Sequence, residues 1–505
     1  MPISLKLPII DNNPILLAET RASKISEFIQ NLPYSDPISA ASSLIDELQI
    51  INGQKVAYAT RLHALELYRA AAIRIYKELI PYLSNTSLPL SKNEQAFADA
   101  AAQLWQEFAY GYKLALIDLQ SKFLNLNSSK STASVVQRVI HAFKEMALIH
   151  HLSYRSLPAA LWAELHQVYF CAVQQGAEKL EVADQASANN VSTVNLVYAQ
   201  FLLMALSDPQ HLATQDILNA EAYLSSLAHL TELKLLGLVD TPTSVFLVEL
   251  DSNKPPTPFA KNRDIPDETT DILFITLNLA RHIHQHIKLF QESSLPTDAN
   301  FPEFALENHF DDLLIHLIQN FGRAPQRVFN RTKKSDGIEL GIGIGATHSL
   351  INLANKVSGI KPSRWQVLNV SAGGYSLRKF NSSQTAAQIG DIVAMKNNAT
   401  NSWELAVLRW ANVNDLSQLD AGLQLVSPAA NACTVKSESH VVECEALLLP
   451  ELSALKQQAS IIIPRGFSRL NETIQVNSNH TFSKILMTKL VERTASFERF
   501  QYRLI

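Results

Sequence analysis

The sequence predicts a multidomain α+β protein in which a large all-α N-terminal region precedes a small six-stranded β-barrel and a β-rich C-terminal tail. Over the first 330 residues, apolar side chains recur at three- and four-residue spacing, which is typical of amphipathic helices. From Gly337 onward, short runs rich in β-branched and aromatic residues alternate with turn-forming residues, which favours strands. A chain of 505 residues is longer than one ordinary domain, so about three to four domains are expected.

Composition and charge narrow the class of protein. Hydrophobic residues make up 47% of the chain and charged residues 18%, which favours an ordered globular protein over a disordered one. A formal net charge of -4 does not favour broad binding to a nucleic acid polymer or to an acidic membrane surface. A local basic patch could still bind a small anion.

The sequence shows no pattern that predicts export or membrane insertion. Its N-terminus has no charged head followed by a long apolar core. The most apolar stretch, around residues 194–206, is too short for a membrane span and is interpreted as a buried helix. The cysteines, Cys171, Cys433 and Cys444, lack the spacing of a zinc site and fit free thiols in a reducing compartment. We therefore expect a cytoplasmic protein without membrane insertion.

The first domain, predicted at residues 1–240, is expected to be α-helical. An apolar stripe from Leu62 to Leu79 has helical spacing, and Ser91 with Glu94 forms a capping box that predicts the start of the next helix. Further helices are predicted at 192–207, 214–232, 268–292 and 302–320. No fixed period with signature residues supports a repeat array, so this region is interpreted as a protein-interaction or regulatory scaffold.

Three further segments are predicted after the first domain. At 241–320, a short β segment at Ser244–Leu250, a linker and helices are expected to complete the helical region. The barrel is predicted at 321–430 and a β-rich extension at 431–505. Six short strands within about a hundred residues favour a small barrel or sandwich. The predicted strands lie at 338–344, 365–370, 375–380, 391–396, 403–410 and 422–426.

A cationic segment lies just before the first predicted barrel strand. Arg323, Arg327, Arg331, Lys333 and Lys334 fall within twelve residues that contain no acidic side chain. Arginine can form bidentate hydrogen bonds with phosphate, and its flat guanidinium can stack on a purine, whereas lysine supplies charge without that combination. The segment therefore favours contacts with a nucleotide, although a solvated basic linker has the same composition.

A polar turn follows the second predicted strand. Asn369 and Ser371 offer side-chain donors and acceptors, and the neighbouring Gly374 allows a ligand to approach the backbone closely. By itself this pattern is also that of an ordinary hairpin.

Together, an arginine pair before strand one and an N-x-S-x-x-G turn after strand two resemble the paired signature of PilZ domains. The resemblance covers about residues 321–430 and continues in the runs at 389–393, 405–410 and 421–425. It implies a six-stranded PilZ-like barrel that binds cyclic di-GMP and needs no cofactor. Asparagine stands at 369, where aspartate is commoner in the family, and a helical insert is predicted at 346–357.

The resemblance also implies roles for individual residues. Arg327 and Arg331 would stack on guanine and clamp phosphates, with Arg323 as an alternative or additional member. The choice between the Arg323/Arg327 and Arg327/Arg331 pairs stays open. Asn369, Ser371 and Gly374 would form the opposite wall of the ligand-binding site.

Two other motifs suggest different chemistry and are not favoured. The GxGxG run at 341–345 lacks the spacing and the later acidic residue of a dinucleotide-binding loop. His282 and His286 share a predicted helix face, but no carboxylate accompanies them as a metalloprotease motif requires, so structural histidines are expected rather than metal ligands. We identify no catalytic residue, and an enzyme is not predicted.

The sequence therefore predicts a cyclic di-GMP-binding signalling receptor whose helical region transmits to a protein partner. The alternative is a helical protein-interaction scaffold whose PilZ-like barrel does not bind nucleotide.

Overall fold

The computed structural model describes residues 4–121, 128–184, 190–236, 243–259, 266–292, 294, 296, 310–322, 332–352, 361–380, 386–397, 402–414, 416–437, 443–453, 456–478 and 480–505. The chain forms two compact units. One contains residues 1–85, 92–209 and 214–325, and the other contains residues 86–91, 210–213 and 326–505.

The first unit is built mainly of helices, which confirms the predicted N-terminal helical region. In chain order they are α1 (Ala22–Gln30), α2 (Pro37–Asn52), α3 (Tyr58–Leu79), α4 (Lys92–Ser121), α5 (Ser128–Leu152), α6 (Ala159–Gln174), α7 (Val194–Leu206), α8 (Thr214–Leu227), α9 (Leu277–Gln291) and α10 (Phe310–Gly322). Helix α4 begins one residue after Ser91, where the capping box predicts it. Among the helices that the structure describes, none combines the length and apolarity needed to cross a bilayer.

Close packing and buried ion pairs hold these helices together. A Cβ atom on Gly111 of α4 would lie 2.8 Å from the Leu65 side chain of α3, so glycine allows the two helices to approach closely. Lys113 of α4 binds Glu164 of α6 at 2.7 Å, and both side chains are largely buried. A buried charge is destabilising without a partner, so these contacts make the register of the helices specific.

Two small sheets interrupt the helices. The short strands β1 (Val182–Ala183) and β2 (Val191–Ser192) pair with each other, and a four-stranded antiparallel sheet has the order β3–β6–β4–β5. Its strands are β3 (Glu232–Leu235), β4 (Val245–Glu249), β5 (Thr257–Pro258) and β6 (Asp271–Ile275). The strand predicted at Ser244–Leu250 is thus confirmed as β4.

The sheet corrects two helix predictions. The helix predicted at 268–292 begins only at Leu277, because the apolar run at 272–275 is buried in the sheet as part of β6. The helix predicted at 214–232 ends at Leu227, and Glu232 begins strand β3. The helix predicted at 302–320 is present as α10 from Phe310, and residues 301–309 lie outside the described residues.

The second unit contains a closed antiparallel barrel, here called the first barrel. Its six strands are β8 (Gly337–Ile342), β9 (Ser363–Ser371), β10 (Gly374–Lys379), β11 (Ile392–Asn397), β12 (Ser402–Val413) and β13 (Leu419–Ser427), and the short β7 (Thr332–Lys333) adds to the edge of β9. The cyclic strand order β8–β9–β10–β13–β12–β11 closes the barrel. All six predicted strands are therefore confirmed.

A helix, α11 (Ile344–Ile351), lies in the connection between β8 and β9. It begins two residues before the predicted start of the insert at 346, and residues 353–360 lie outside the described residues. The glycines of the GxGxG run allow the chain to turn into this helix and the helix to pack closely against β8. A Cβ on Gly341 would lie 2.2 Å from Leu350, and Gly343 has φ +88° at the helix N-cap, which favours glycine.

The β-rich extension is a second closed barrel of six strands. They are β14 (Asn431–Lys436), β15 (Cys444–Leu449), β16 (Ser460–Pro464), β17 (Thr473–Ser478), β18 (Thr481–Arg493) and β19 (Phe497–Leu504), in the order β14–β15–β16–β19–β18–β17. Its interior is packed with aliphatic and aromatic side chains such as Ile461, Ile485 and Phe500.

The two barrels share a hydrophobic cluster. Ile392, Leu405 and Val407 of the first barrel pack with residues of the second barrel. The latter are Leu447, Leu449, Ile462 and Phe497, all at most 2% exposed. Strands β15 and β16 thus bury one face in their own barrel and the other against the first barrel.

Candidate functional site

The predicted polar turn lies at the junction of β9 and β10. Asn369 and Ser371 are on β9 and partly buried, and Gly374 begins β10 and is buried. Ser371 donates a hydrogen bond to the carbonyl of Gly374 at 3.4 Å, and the two residues pair across the hairpin. Arg323, Arg327 and Arg331 lie outside the described residues.

A β-bulge at Leu368 decides which way Asn369 points. On one side of the bulge Val367 pairs with Leu377, and on the other side Asn369 pairs with Ser376. Leu377 is fully buried, and Ser376, its neighbour on the strand, points to the opposite side of the sheet. Asn369 therefore lies on the outside of the barrel, whereas unbroken alternation from Trp365 and Val367 would turn it inward.

Strand β7 pairs with β9 at this bulge. Thr332 pairs with Val370 and Lys333 with Asn369, and the amide of Lys334 donates to the carbonyl of Leu368 at 3.3 Å. Thr332 directly follows Arg331 in the chain. The cationic segment therefore joins the barrel at the strand position beside Asn369.

Small residues occupy the outer surface next to Asn369 and Ser371. Across β9, β10 and β13, Asn369 pairs with Ser376 and Ser376 with Gly422, and in the next row Ser371 pairs with Gly374. We call this surface, with Trp410, the glycine face. A Cβ on Gly374 would lie 1.9 Å from the carbonyl oxygen of Leu423, so Gly374 also has a packing role.

Trp410 bounds the glycine face on the far side from Asn369. It lies on β12 opposite Gly422, and a Cβ on Gly422 would lie 1.8 Å from its indole nitrogen. The indole therefore covers Gly422, and the side chain is partly exposed. From the sequence, Trp410 was predicted only as the last residue of a strand. An aromatic side chain that covers a glycine on the neighbouring strand is a common pattern in sheets, and Trp410 with Gly422 could have been recognised from it.

Charged and polar side chains border the same face. Arg378 forms a bidentate ion pair with Asp420, at 2.6 and 2.7 Å, and this pairing raises the pKa of Arg378. Arg409 donates to the Gln424 side-chain oxygen at 2.6 Å and also pairs with Glu492. Three strand spacings separate Asn369 from Trp410, about 14 Å, so the face is broad enough for a flat ring system.

The histidines on α9 take part in packing. His286 is buried and bonds the Tyr223 hydroxyl at 2.8 Å, and its ring centroid lies 4.3 Å from that of His282. Within the part of the chain that the structure describes, no group of three histidine, cysteine or carboxylate side chains is placed to hold a metal ion.

The closed six-stranded barrel, the N-x-S-x-x-G turn on its outer face and the cationic segment that leads into β7 define the chain as a PilZ-domain protein. Three models of one family match it in order: "Cyclic-di-GMP receptor FimW, N-terminal domain" at residues 23–238, the "middle PilZ domain" of FimW at 245–359 and 352–432, and the "FimW C-terminal beta-barrel domain" at 432–505. Because these matches together cover most of the chain, it belongs to the FimW family of PilZ-domain cyclic di-GMP receptors.

One curated relative matches this chain over almost its full length. The cyclic-di-GMP receptor FimW of Pseudomonas aeruginosa is 22% identical, over 99% of this chain and 93% of that protein.

Proposed function

We propose that this chain is a cyclic di-GMP receptor that binds the nucleotide on the glycine face of its first barrel. The observation that carries the proposal is the position of this face: it lies between Asn369 and Trp410, directly beside the point where the cationic segment joins β9. The family match and the name of the Pseudomonas relative support the same ligand.

The face offers contacts for each part of the ligand. Cyclic di-GMP carries two phosphates and two guanines, so it needs cations, hydrogen-bonding groups and flat surfaces. Arg327 with either Arg331 or Arg323 supplies bidentate donors for phosphate and a guanidinium plane for a base. Asn369 and Ser371 supply polar groups for a guanine edge, and the exposed part of the Trp410 indole supplies a stacking surface.

The small residues of the glycine face have a physical reason in this proposal. Gly374 and Ser376 add little side-chain bulk next to Asn369 and Ser371, so a planar base can lie against this part of the sheet with the Trp410 indole, which covers Gly422, at its far side. Larger side chains at these positions would lift the base away from Asn369.

The helical unit transmits the nucleotide signal to a protein partner in this proposal. Neither a catalytic step nor a cofactor is part of it, and the cytoplasmic location and the domain limits at 240, 320 and 430 stay predictions. Capture experiments with the full chain, with and without cyclic di-GMP, test the transmission. A partner whose recovery changes with nucleotide supports it, and identical recoveries contradict it.

Isothermal titration calorimetry with cyclic di-GMP tests the binding site. We expect wild-type protein to bind and Arg327→Ala, which removes the arginine common to both possible pairs, to weaken binding at least about tenfold through loss of a charge-assisted contact. A similar loss for Arg331→Ala assigns the second arginine contact to Arg331 rather than to Arg323. Trp410→Ala removes one stacked base, worth about 1–3 kcal/mol.

Arg364→Ala is the matched control. Arg364 lies on the same strand as Asn369 with a largely exposed side chain, but five residues away, a separation of about 17 Å. Its removal is expected to leave affinity unchanged. Absence of heat with the wild type contradicts the proposed function, and equal loss in all four variants contradicts the assigned site.

A further inference from the structure

The second barrel contributes one carboxylate to the border of the glycine face. Glu492 of β18 pairs with Arg409 of β12, and Arg409 donates through Nε to the side-chain oxygen of Gln424 at 2.6 Å. The Arg409 side chain is 35% exposed and that of Glu492 is 17% exposed, so the ion pair is partly shielded from water. Arg409 thus connects the two barrels at the site.

Strand register places Gln424 on the glycine face. Gln424 pairs with Gly374, which in turn pairs with Ser371 on the neighbouring strand. Because Gly374 has no side chain, the surface between Ser371 and Gln424 is backbone. A ligand that lies there can reach the Gln424 carboxamide directly.

Arg409 determines which group Gln424 presents. The arginine has only donors, so it must take the carboxamide oxygen, and the amide nitrogen remains to donate. Within the part of the chain that the structure describes, that nitrogen donates no hydrogen bond. Gln424 therefore presents N–H groups, and it prefers a ligand edge that consists of acceptors.

Glu492 keeps Arg409 in the orientation that this requires. The carboxylate binds a terminal guanidinium nitrogen while Nε faces Gln424, so the planar group is held at two points. A bulge at Val491 precedes Glu492, and the barrel that carries it is packed against the first barrel through Phe497 and Leu447. The position of the carboxylate is therefore defined by the packing of the second barrel.

We propose that Glu492 is a positioning residue for base recognition: through Arg409 it orients Gln424 to donate to the N7 and O6 edge of guanine. This inference rests on the proposed function. Guanine presents two acceptors on that edge, whereas adenine presents N7 with an amino donor that would oppose the Gln424 amide. The second barrel thereby makes the nucleotide site selective for guanine over adenine.

Calorimetric titration of the full chain with cyclic di-GMP and with cyclic di-AMP tests the inference. For Glu492→Gln, we expect the preference for cyclic di-GMP over cyclic di-AMP to fall about tenfold, mainly through weaker cyclic di-GMP binding. Glu492→Asp keeps the charge and is expected to retain part of the preference. Glu451→Gln changes an exposed carboxylate just after β15 and serves as the matched control.

A second variant separates recognition from folding. Gln424→Glu keeps the shape and still accepts from Arg409, but it replaces the amide donor by an acceptor. We expect it to lose cyclic di-GMP affinity and to gain relative affinity for cyclic di-AMP, at an unchanged melting temperature.

The other outcomes contradict the inference in different ways. If Glu492→Gln weakens the binding of both nucleotides equally, Arg409 contacts phosphate or stabilises the fold and does not act in base recognition. If binding of both nucleotides is unchanged, Glu492 has no role in the site. In both cases the wild type binds cyclic di-GMP and the proposed function stands. A wild type that binds no cyclic di-GMP contradicts the proposed function and this inference together.

Discussion

The two barrels have the same number of strands and closed antiparallel architecture, yet their strands differ in composition. The first barrel has glycines within its strands, at 337, 341, 374 and 422, whereas none of the strands described in the second barrel contains glycine. In the first barrel, the bulge at Leu368 turns the polar side chain of Asn369 outward, next to the glycines. The second barrel has bulges in β18, at Thr488 and Val491, but these bulged residues are exposed and no strand glycine accompanies them. Two barrels of the same architecture therefore present different surfaces, and side-chain size and strand phase make the difference.

The second barrel instead supports the first barrel. Its strands β15 and β16 are buried on both faces, and it supplies Glu492 to the border of the glycine face. Removing its contact with the first barrel is therefore expected to affect both barrels.

The largest effect is expected for Phe497→Ala. Phe497 is fully buried in the cluster that both barrels share, so its loss leaves a cavity and should lower the free energy of unfolding by about 4 kcal/mol. Chemical denaturation measures the loss, and hydrogen exchange should show weakened protection in β11 and β12 as well as in β19. Val491→Ala, on an exposed bulge of the same barrel, is the control. Protection lost only in the second barrel would show that the barrels are energetically independent.

Gly374→Ala is expected to have the next largest effect. The added methyl group would lie 1.9 Å from the Leu423 carbonyl oxygen, a backbone atom that cannot move without distorting β13, so we expect a loss of about 3 kcal/mol. In the second barrel, Gly466 has φ +74° and open space around it, so Gly466→Ala should lower stability by only about 1 kcal/mol. Thermal melts of both variants make the comparison, and equal losses would contradict a steric role for Gly374.

The smallest effect concerns Asp391, which accepts a hydrogen bond from Ser496 of the second barrel at 2.9 Å. Burial raises the pKa of Asp391, so the folded state favours its protonated form. Its contribution to stability is therefore complete below the usual carboxyl pKa of about 4 and declines as pH rises through the raised pKa, by at most about 1.4 kcal/mol per pH unit. Denaturation experiments should show that the free energy of unfolding of the wild type, relative to that of Asp391→Asn, falls as the pH rises from 4 to about 8. A pH-independent difference would contradict it.

Local patterns were enough to predict much of this fold. Helical spacing predicted the helical unit, and alternation with turn residues predicted the six strands of the first barrel, because both signals depend on near neighbours in the chain. Strand β6 was mistaken for the start of a helix, because a short buried apolar run has the same pattern in either structure. The C-terminal extension was predicted only to be β-rich, and its closure into a second barrel was not predicted, because closure depends on pairing between strands that lie far apart in the chain.

The sequence by itself determined the order of the domains, the cationic segment and the Asn369–Ser371–Gly374 turn, since these depend on residue type and spacing along the chain. Only the tertiary structure decided that Asn369 points outward, because a single bulged residue reverses the phase of a strand. It alone also brought Trp410, Gln424 and Glu492 to the glycine face, since cross-strand pairing and the packing of two barrels join positions far apart in sequence. The sequence thus predicted one wall of the proposed site, and the other wall was defined only by the register of the sheet.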